Sequence, residues 1–240
     1  AQIVALALIE SEADVIASIP IPEIDSFHRS HYVGPSIVVG AAGHLEHRDV
    51  VELAERHFAP AAGSLDGPAN GGSPGVDPRI RFYQKDTEQY HVCFGGAGIS
   101  RGEERRFALA VLDAIFGGST SSRLFQEVRE KRGLAYAVGS YTEQFSESGT
   151  VAMYVGTRED NVGEACEIIG RELAALRADG ASDEELQRAK EHVKGRMVLG
   201  LEATASRMSR ISRAILFDVP LLSLDEMVAR VDAVEADDLA

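Results

Sequence analysis

Two side chains able to donate hydrogen bonds, Arg129 and Tyr136, stand seven residues apart around a predicted chain reversal at Gly133. Arg129 lies near the end of a predicted helix and Tyr136 begins a predicted strand, so the turn can bring the guanidinium and the phenol together. Side by side, the two groups could donate to a peptide carbonyl and to the oxyanion that develops from it. The residues alone favour a simpler interpretation, a surface arginine in an ion pair and a half-buried strand tyrosine.

The histidines offer a weaker case for metal binding. In the zinc motifs H-x-x-E-H and H-E-x-x-H the two histidines stand four residues apart on one helical face. His44 and His47 are three apart and straddle a predicted turn from strand to helix, where Glu46 favours the positive end of the helix dipole. His28 and His31 have the same spacing and would need a third ligand. The sequence predicts no metal site within these 240 residues.

Glycine-rich turns are the next candidates. Gly117 and Gly118 precede four hydroxyl residues, a pattern also typical of phosphate-binding loops. No lysine follows at the spacing of a P-loop, so we expect a sharp turn between helices with serine capping. Backbone contact between these glycines and a bound peptide is the functional alternative. Cys93 and Cys166 lie in apolar surroundings and are predicted to be reduced, buried thiols.

The elements that must position Arg129 and Tyr136 follow from hydrophobic periodicity. A nearly all-apolar helix is predicted over Glu103–Phe116, ending at the two glycines, and a second helix over Ser121–Lys131. Beyond Gly133, alternating residues predict strands over Ala135–Tyr141 and Thr150–Gly156. These two strands should form a hairpin that begins at Tyr136.

Further strands are predicted upstream. Apolar residues alternate with polar ones at Ile80 and Phe82, and again at Tyr90, Val92 and Phe94. The two segments are predicted to be half-buried strands that pair as another hairpin. Ser36–Ala42 reads as a short buried strand, and His47–Phe58 as the helix that follows it.

Helices dominate the remainder. Thr157 to Asp160 resembles a capping box for a helix that ends at Gly180. Another helix begins at Ser182 and is predicted to extend to Phe217, with bends at Gly195 and Gly200. A last helix starts near residue 223. Strand pairs followed by long helices predict an α+β fold, in which helices pack on a layered antiparallel or mixed sheet.

Composition sets the boundaries and excludes some partners. Residues 59–78 are rich in proline and glycine and are predicted to be a linker between the tail of one domain, 1–58, and a second domain, 79–240. The net charge of −14 opposes binding to nucleic acid or anionic membranes. No apolar run is long enough to span a bilayer, and a cytoplasmic location is expected.

The stretch Gly117–Tyr136, GGSTSSRLFQEVREKRGLAY, resembles the pitrilysin, insulinase and mitochondrial processing peptidase family of zinc metallopeptidases. FHRSHY at 27–32 and IVVGAAGHLEH at 37–47 resemble the close of that family's first domain. The resemblance implies two similar α+β domains that close around an extended peptide. It also implies that 79–240 is the second of these domains, lacking its last strand.

The resemblance further implies a catalytic role for Arg129 and Tyr136, which match the family's substrate-facing arginine and tyrosine. The family's H-x-x-E-H zinc motif belongs to an earlier part of the first domain and does not occur in this chain. We therefore expect zinc in the full-length protein, none in this chain, and no proteolysis by this chain alone. The expected partner is a peptide substrate, with a partner subunit or a homodimer as further options. A non-catalytic structural subunit is the alternative function.

Overall fold

The computed structural model describes residues 16–58, 80 and 82–239. The predicted linker, 59–78, lies outside the described residues. The described residues fall into two compact units: a sheet unit, 82–197 with 223–239, and a helical unit, 16–58 with 198–222. Residues 198–222 thus group with 16–58, whereas the sequence pattern assigns all of 79–240 to one domain. The proposed domain boundaries, including the missing last strand, stay a prediction.

The sheet unit contains a three-stranded antiparallel sheet. Its strands are β1 (Tyr90–Gly98), β2 (Ala135–Gln144) and β3 (Gly149–Thr157), in the spatial order β1-β3-β2. The predicted hairpin of β2 and β3 is confirmed, with Val138 opposite Val155. The predicted hairpin of residues 80–82 with β1 is not formed in the described residues, since 80 and 82 lie in no strand and 81 lies outside the described residues. β1 pairs with β3 and forms an edge of the sheet.

Helices cover one face of this sheet. The α-helices of the described residues are α1 (Ile21–His31), α2 (His47–Phe58), α3 (Arg106–Phe116), α4 (Val162–Asp179), α5 (Asp183–Gly200), α6 (Thr204–Leu216) and α7 (Leu224–Asp232). The core joins α3, α4 and the segment before β2 to the sheet through Val92, Phe116, Leu124, Val128, Ala135, Val155, Ala165, Ile168 and Ile169. Since alternate strand residues point to opposite faces, the other face of the sheet is left for His91, Tyr136 and Tyr154. The α+β prediction is confirmed.

Three local predictions need correction. The helix expected over Ser121–Lys131 contains a π-helical turn at Phe125–Glu130, with the Lys131 N–H donating to the Gln126 carbonyl at 2.9 Å. The capping box at Thr157 does not form, because the Thr157 hydroxyl donates to the Leu134 carbonyl. The long helix predicted after Ser182 ends at Gly200, and a separate helix, α6, follows it. Gly200 therefore marks a break, whereas Gly195 lies within α5.

The helical unit consists of α1, α2 and α6 with their connections. Gly40 approaches Ser212 so closely that a Cβ at residue 40 would overlap the serine side chain. The strand predicted over Ser36–Ala42 is not formed in the described part of the chain, and Val39 is exposed. A strand requires a neighbour for its ladder of hydrogen bonds, and these residues have none among those described. No helix in the described ranges combines the length and apolar character needed to cross a bilayer.

Candidate functional site

The chain reverses at Gly133, between the π-helical turn and β2. Gly133 has a φ of +60°, in the left-handed region that favours glycine. Its N–H donates to the Arg129 carbonyl at 3.0 Å, and the Leu134 N–H donates to the Val128 carbonyl at 2.9 Å. The bond from Gly133 to Arg129 is that of an αL C-cap motif, which ends a helix and turns the chain back. Local sequence therefore directs β2 back toward Arg129.

Tyr136 occupies a β-bulge at the start of β2. Ala135 lies opposite Thr157 and Ala137 opposite Gly156, so Tyr136 is an extra residue in the ladder. The bulge allows Ala135 and Val138, three residues apart, both to contact the core. Tyr136 is thereby turned outward and is 78% exposed. Bulges that re-aim a side chain in this way are common beside active sites.

The structure brings Arg129 and Tyr136 together through the tyrosine ring. The guanidinium carbon of Arg129 lies 4.3 Å from the ring centroid of Tyr136 and 4.7 Å from that of Phe125. The Arg129 Nε also lies 3.7 Å from a carboxylate oxygen of Glu130. Aromatic rings position a cation without supplying an oxygen acceptor, so the N–H donors of Arg129 remain suited to a ligand. At 32% exposure the arginine side chain is ordered by its neighbours yet accessible.

Arg129 and Tyr136 border an open groove of about 430 Å³ on the sheet unit. Phe125, Tyr141 and Tyr154 supply further aromatic walls, and Gly139 leaves one stretch of β2 bare. None of these three aromatic residues was predicted to belong to the site. Phe125 precedes Arg129 by four residues, a spacing that places both on one face of a helix, and Tyr141 follows Tyr136 on the same strand. Periodicity could therefore have indicated these two residues. Tyr154 had no such signal, because only strand register brings it opposite Gly139.

A hydrogen bond fixes Tyr154 within this groove. The Tyr154 hydroxyl lies 2.5 Å from the Nδ1 of His91, which stands on the neighbouring strand β1. Burial, with a smaller contribution from Cys93, raises the pKa of the Tyr154 hydroxyl above its usual range. The phenol therefore stays neutral at physiological pH. Cys93 and Cys166 are both free and half-buried, and burial raises the pKa of each thiol.

The glycine turn at Gly117 and Gly118 has a packing role. Both N–H groups donate to the Asp113 carbonyl, at 3.0 and 2.7 Å. A Cβ at Gly117 would overlap the backbone of Ser140, and a Cβ at Gly118 would overlap the Asp113 carboxylate. The turn therefore presses directly onto α3 and β2. The predicted sharp turn is present, whereas backbone contact with a peptide stays a prediction.

Histidine and acidic side chains do not assemble a metal site in the described residues. Across 16–58, 80 and 82–239, no three histidine, cysteine, aspartate or glutamate side chains converge closely enough to hold an ion. His44 and His47 are exposed at the entry to α2, where the Leu45 N–H donates to the Gly43 carbonyl at 3.1 Å. The side chains described do not fit a zinc site.

Known proteins resemble this chain over most of its length. The sequence profile described as "Peptidase M16 inactive domain" matches residues 18–193. An uncharacterized zinc protease from Streptomyces coelicolor is 39% identical over 233 residues, covering 94% of this chain and 51% of the relative. The chain spans about half the length of the curated relatives it matches.

Two solved structures share the fold. A protease from Helicobacter pylori superposes with a TM-score of 0.84 at 19% identity, over 94% of this chain and 56% of that one. A chain of complex III2 from Candida albicans gives 0.75 at 18% identity, with 94% and 56% covered. At such identities the likeness concerns the fold alone.

Proposed function

Because the chain belongs to the peptidase M16 family, we propose that it is the substrate-binding, carboxy-terminal part of a zinc-dependent metalloendopeptidase. The full-length enzyme holds an extended peptide between two similar domains and cleaves it. Its zinc ligands lie outside the described residues of this chain, whose side chains do not fit a zinc site. A peptide is therefore the principal partner of this chain.

Within that enzyme, Arg129 and Tyr136 bind the carbonyl oxygen of the substrate and stabilise the negative charge that develops on it. The supporting observation is the stacked pair itself, displayed on an open groove, with the guanidinium held by aromatic rings and by a Glu130 carboxylate oxygen 3.7 Å from its Nε. Fixed donors aimed at a developing oxyanion act without reorganisation during the reaction, which is why they lower the barrier. Gly117 and Gly118, which line a cavity beside Phe125, contact the peptide backbone.

The Tyr136→Phe substitution in the full-length protein tests this role. Removing one oxyanion donor should lower kcat by about a hundredfold or more, with little change in thermal stability because Tyr136 is exposed. Arg129→Ala should also raise KM for peptides. Steady-state kinetics and thermal unfolding of each variant provide the measurement.

The matched control is Tyr83→Phe, which alters an exposed tyrosine of the sheet unit that does not line the groove. We expect near-normal kcat from this control. Near-normal kcat in a folded Tyr136→Phe enzyme would instead return the pair to a structural role.

A second candidate function is a non-catalytic structural or partner subunit. The fold is shared with a chain of complex III2, and the matching profile carries the description of an inactive domain. The sequence of the remaining half of the protein separates the two functions. An H-x-x-E-H motif there supports the enzyme, and its absence supports the subunit.

A further inference from the structure

A second pocket adjoins the groove on the other side of Phe125. It has a volume of about 370 Å³ and lies between the Gly117–Thr120 turn and helix α5. His192 and Arg196 form its wall on α5, so we name it the His192–Arg196 pocket. The two side chains are four residues apart and therefore share one face of the helix. Phe125 lines both the pocket and the groove, which makes the two neighbours on the sheet unit.

His192 carries an unsatisfied polar atom in this wall. Its Nε2 is buried and has no hydrogen-bond partner within the part of the chain that the structure describes. Native proteins rarely leave buried polar atoms unpaired, because such an atom has given up its hydrogen bonds to water without replacement. The His192 ring also lines the pocket, so a ligand bound there is a source of the missing partner once the ring turns toward it.

Arg196 adds a permanent positive charge to the pocket. Asp113 interacts with Arg196 electrostatically, without a direct ion pair between these two described side chains. The Asp113 Oδ1 instead accepts a hydrogen bond from the Ser140 hydroxyl at 2.5 Å. Burial raises the pKa of Asp113, while the Ser140 hydrogen bond and the charge of Arg196 act in the opposite direction. The Ser140 hydroxyl, and not Arg196, is the direct partner of this carboxyl group in the described residues. The Arg196 guanidinium is therefore able to bind an external anion.

We propose that the His192–Arg196 pocket binds a carboxylate of the peptide substrate. An arginine fork and an imidazole N–H together match the two oxygens of a carboxylate. Because Phe125 lines both cavities, this anion would belong to a peptide lying along the neighbouring Arg129–Tyr136 groove, in a protein whose net charge is −14. The pocket thus selects peptides with an acidic side chain or a free carboxy terminus at a fixed distance from the cleaved bond. This inference rests on the proposed function.

The test measures peptide binding by the full-length protein with a chelator present, so that binding is read without cleavage. Fluorescent short peptides with amidated ends carry one glutamate moved along the sequence, each paired with its glutamine counterpart, and one further peptide has a free carboxy terminus. One position, or the free terminus, should bind about tenfold tighter than its neutral pair, the scale of a charge-assisted hydrogen bond. Which peptide shows the gain identifies the source of the carboxylate.

Arg196→Gln should abolish that preference, and His192→Leu should reduce it. The control, Arg188→Gln, changes an exposed arginine of the same helix that pairs with Glu184 away from the pocket and should keep the preference. Equal binding of acidic and neutral peptides, or a preference that survives Arg196→Gln, overturns the pocket while leaving the proposed function intact. Failure of every peptide to bind overturns both.

Discussion

At the scale of single residues, the site depends on conformations that few side chains permit. Gly133 adopts a left-handed φ and Tyr136 sits in a bulge, so backbone geometry aims the tyrosine ring at Arg129. The aromatic contacts then hold the guanidinium in place. The position of the Arg129–Tyr136 pair is therefore set by the backbone of a few neighbouring residues.

Gly133→Ala should destabilise the sheet unit by about 1 kcal/mol. A Cβ at residue 133 meets nothing within 4 Å, so the cost arises from the left-handed backbone and not from a clash. Urea unfolding, with the free energy compared at equal m-values, provides the measurement.

Gly170→Ala is the matched control for this prediction. Gly170 lies within α4, where a Cβ also meets nothing, and alanine favours the helix, so this variant should be up to about 1 kcal/mol more stable. If both substitutions shifted stability in the same direction, backbone strain at Gly133 would not be the cause.

At the scale of elements, an ion pair joins the segment before the π-helical turn to the start of α5. The Arg123 Nε donates to Glu185 at 2.6 Å and its Nη2 at 2.8 Å, and the same Nη2 donates to the Gly180 carbonyl at 3.0 Å. The side chains of Arg123 and Glu185 are only 17% and 21% exposed. This bidentate contact fixes α5, and hence His192 and Arg196, relative to the glycine turn.

Glu185→Gln should lower the free energy of unfolding by about 2 kcal/mol, less than the loss typical of a fully buried pair because solvent screens this one in part. The hydrogen bond from Arg123 lowers the pKa of Glu185 from 4.5 to about 2, with the Ser182 N–H and hydroxyl contributing in the same direction. A depressed folded-state pKa stabilises the protein above pH 4.5, and this contribution is lost as the pH falls toward 2. The difference between wild type and variant should therefore shrink over that interval.

Denaturant unfolding at neutral and acidic pH measures this difference. Glu184→Gln, which breaks the exposed pair with Arg188 on the same helix, should change stability little at either pH. A wild-type advantage over Glu185→Gln that persists unchanged to low pH would contradict the assignment of the effect to the Glu185 carboxylate.

At the scale of the whole molecule, the helical unit leaves much apolar surface uncovered. No residue of α1 or α2 is buried among the described parts of the chain, and large apolar side chains are exposed on these helices and on α6, including Ile21, Ile24, Phe27, Leu53 and Ile215. Exposed apolar surface of this extent is typical of an interface. This agrees with the proposal that residues 1–58 are the tail of a first domain.

The 240-residue chain by itself should therefore self-associate as its concentration rises, and homodimers are the expected first species. Light scattering coupled to size exclusion provides the measurement. The double variant Ile24→Ser, Phe27→Ser should shift the chain toward monomer. Both side chains are exposed on α1, so the change removes apolar contact surface without disturbing a core. A wild-type chain that stays monomeric at the highest accessible concentration would count against this prediction.

The same chain should bind no stoichiometric zinc and cleave no peptide, because the ligands for the metal are expected elsewhere in the full-length protein. Elemental analysis of the purified chain and a peptide-cleavage assay with and without chelator test both points. Tight zinc at one equivalent, or chelator-sensitive cleavage, would show that ligands were overlooked.

The sequence by itself determined what depends on neighbours along the chain. Periodicity predicted α3, α4 and the β2–β3 hairpin, and the glycine at 133 predicted the reversal that brings Arg129 toward Tyr136. The helix starts at Ser182 and Ser223 were also predictable from the sequence, because Glu185 and Glu226 complete local capping boxes there. In each case, residues within one or two turns supply the hydrogen bonds.

Only the tertiary structure decided what depends on residues far apart in sequence. Thr157 is a typical helix-capping residue, yet its hydroxyl donates to the carbonyl of Leu134, which is distant in sequence. Ile80 and Phe82 have the alternation of a strand, yet the strand that pairs with β1 is β3. Tyr154 enters the groove through strand register, and His192 meets the glycine turn through the packing of α5. Hydrogen bonds and pockets formed across such separations follow from how the elements pack, which no local pattern records.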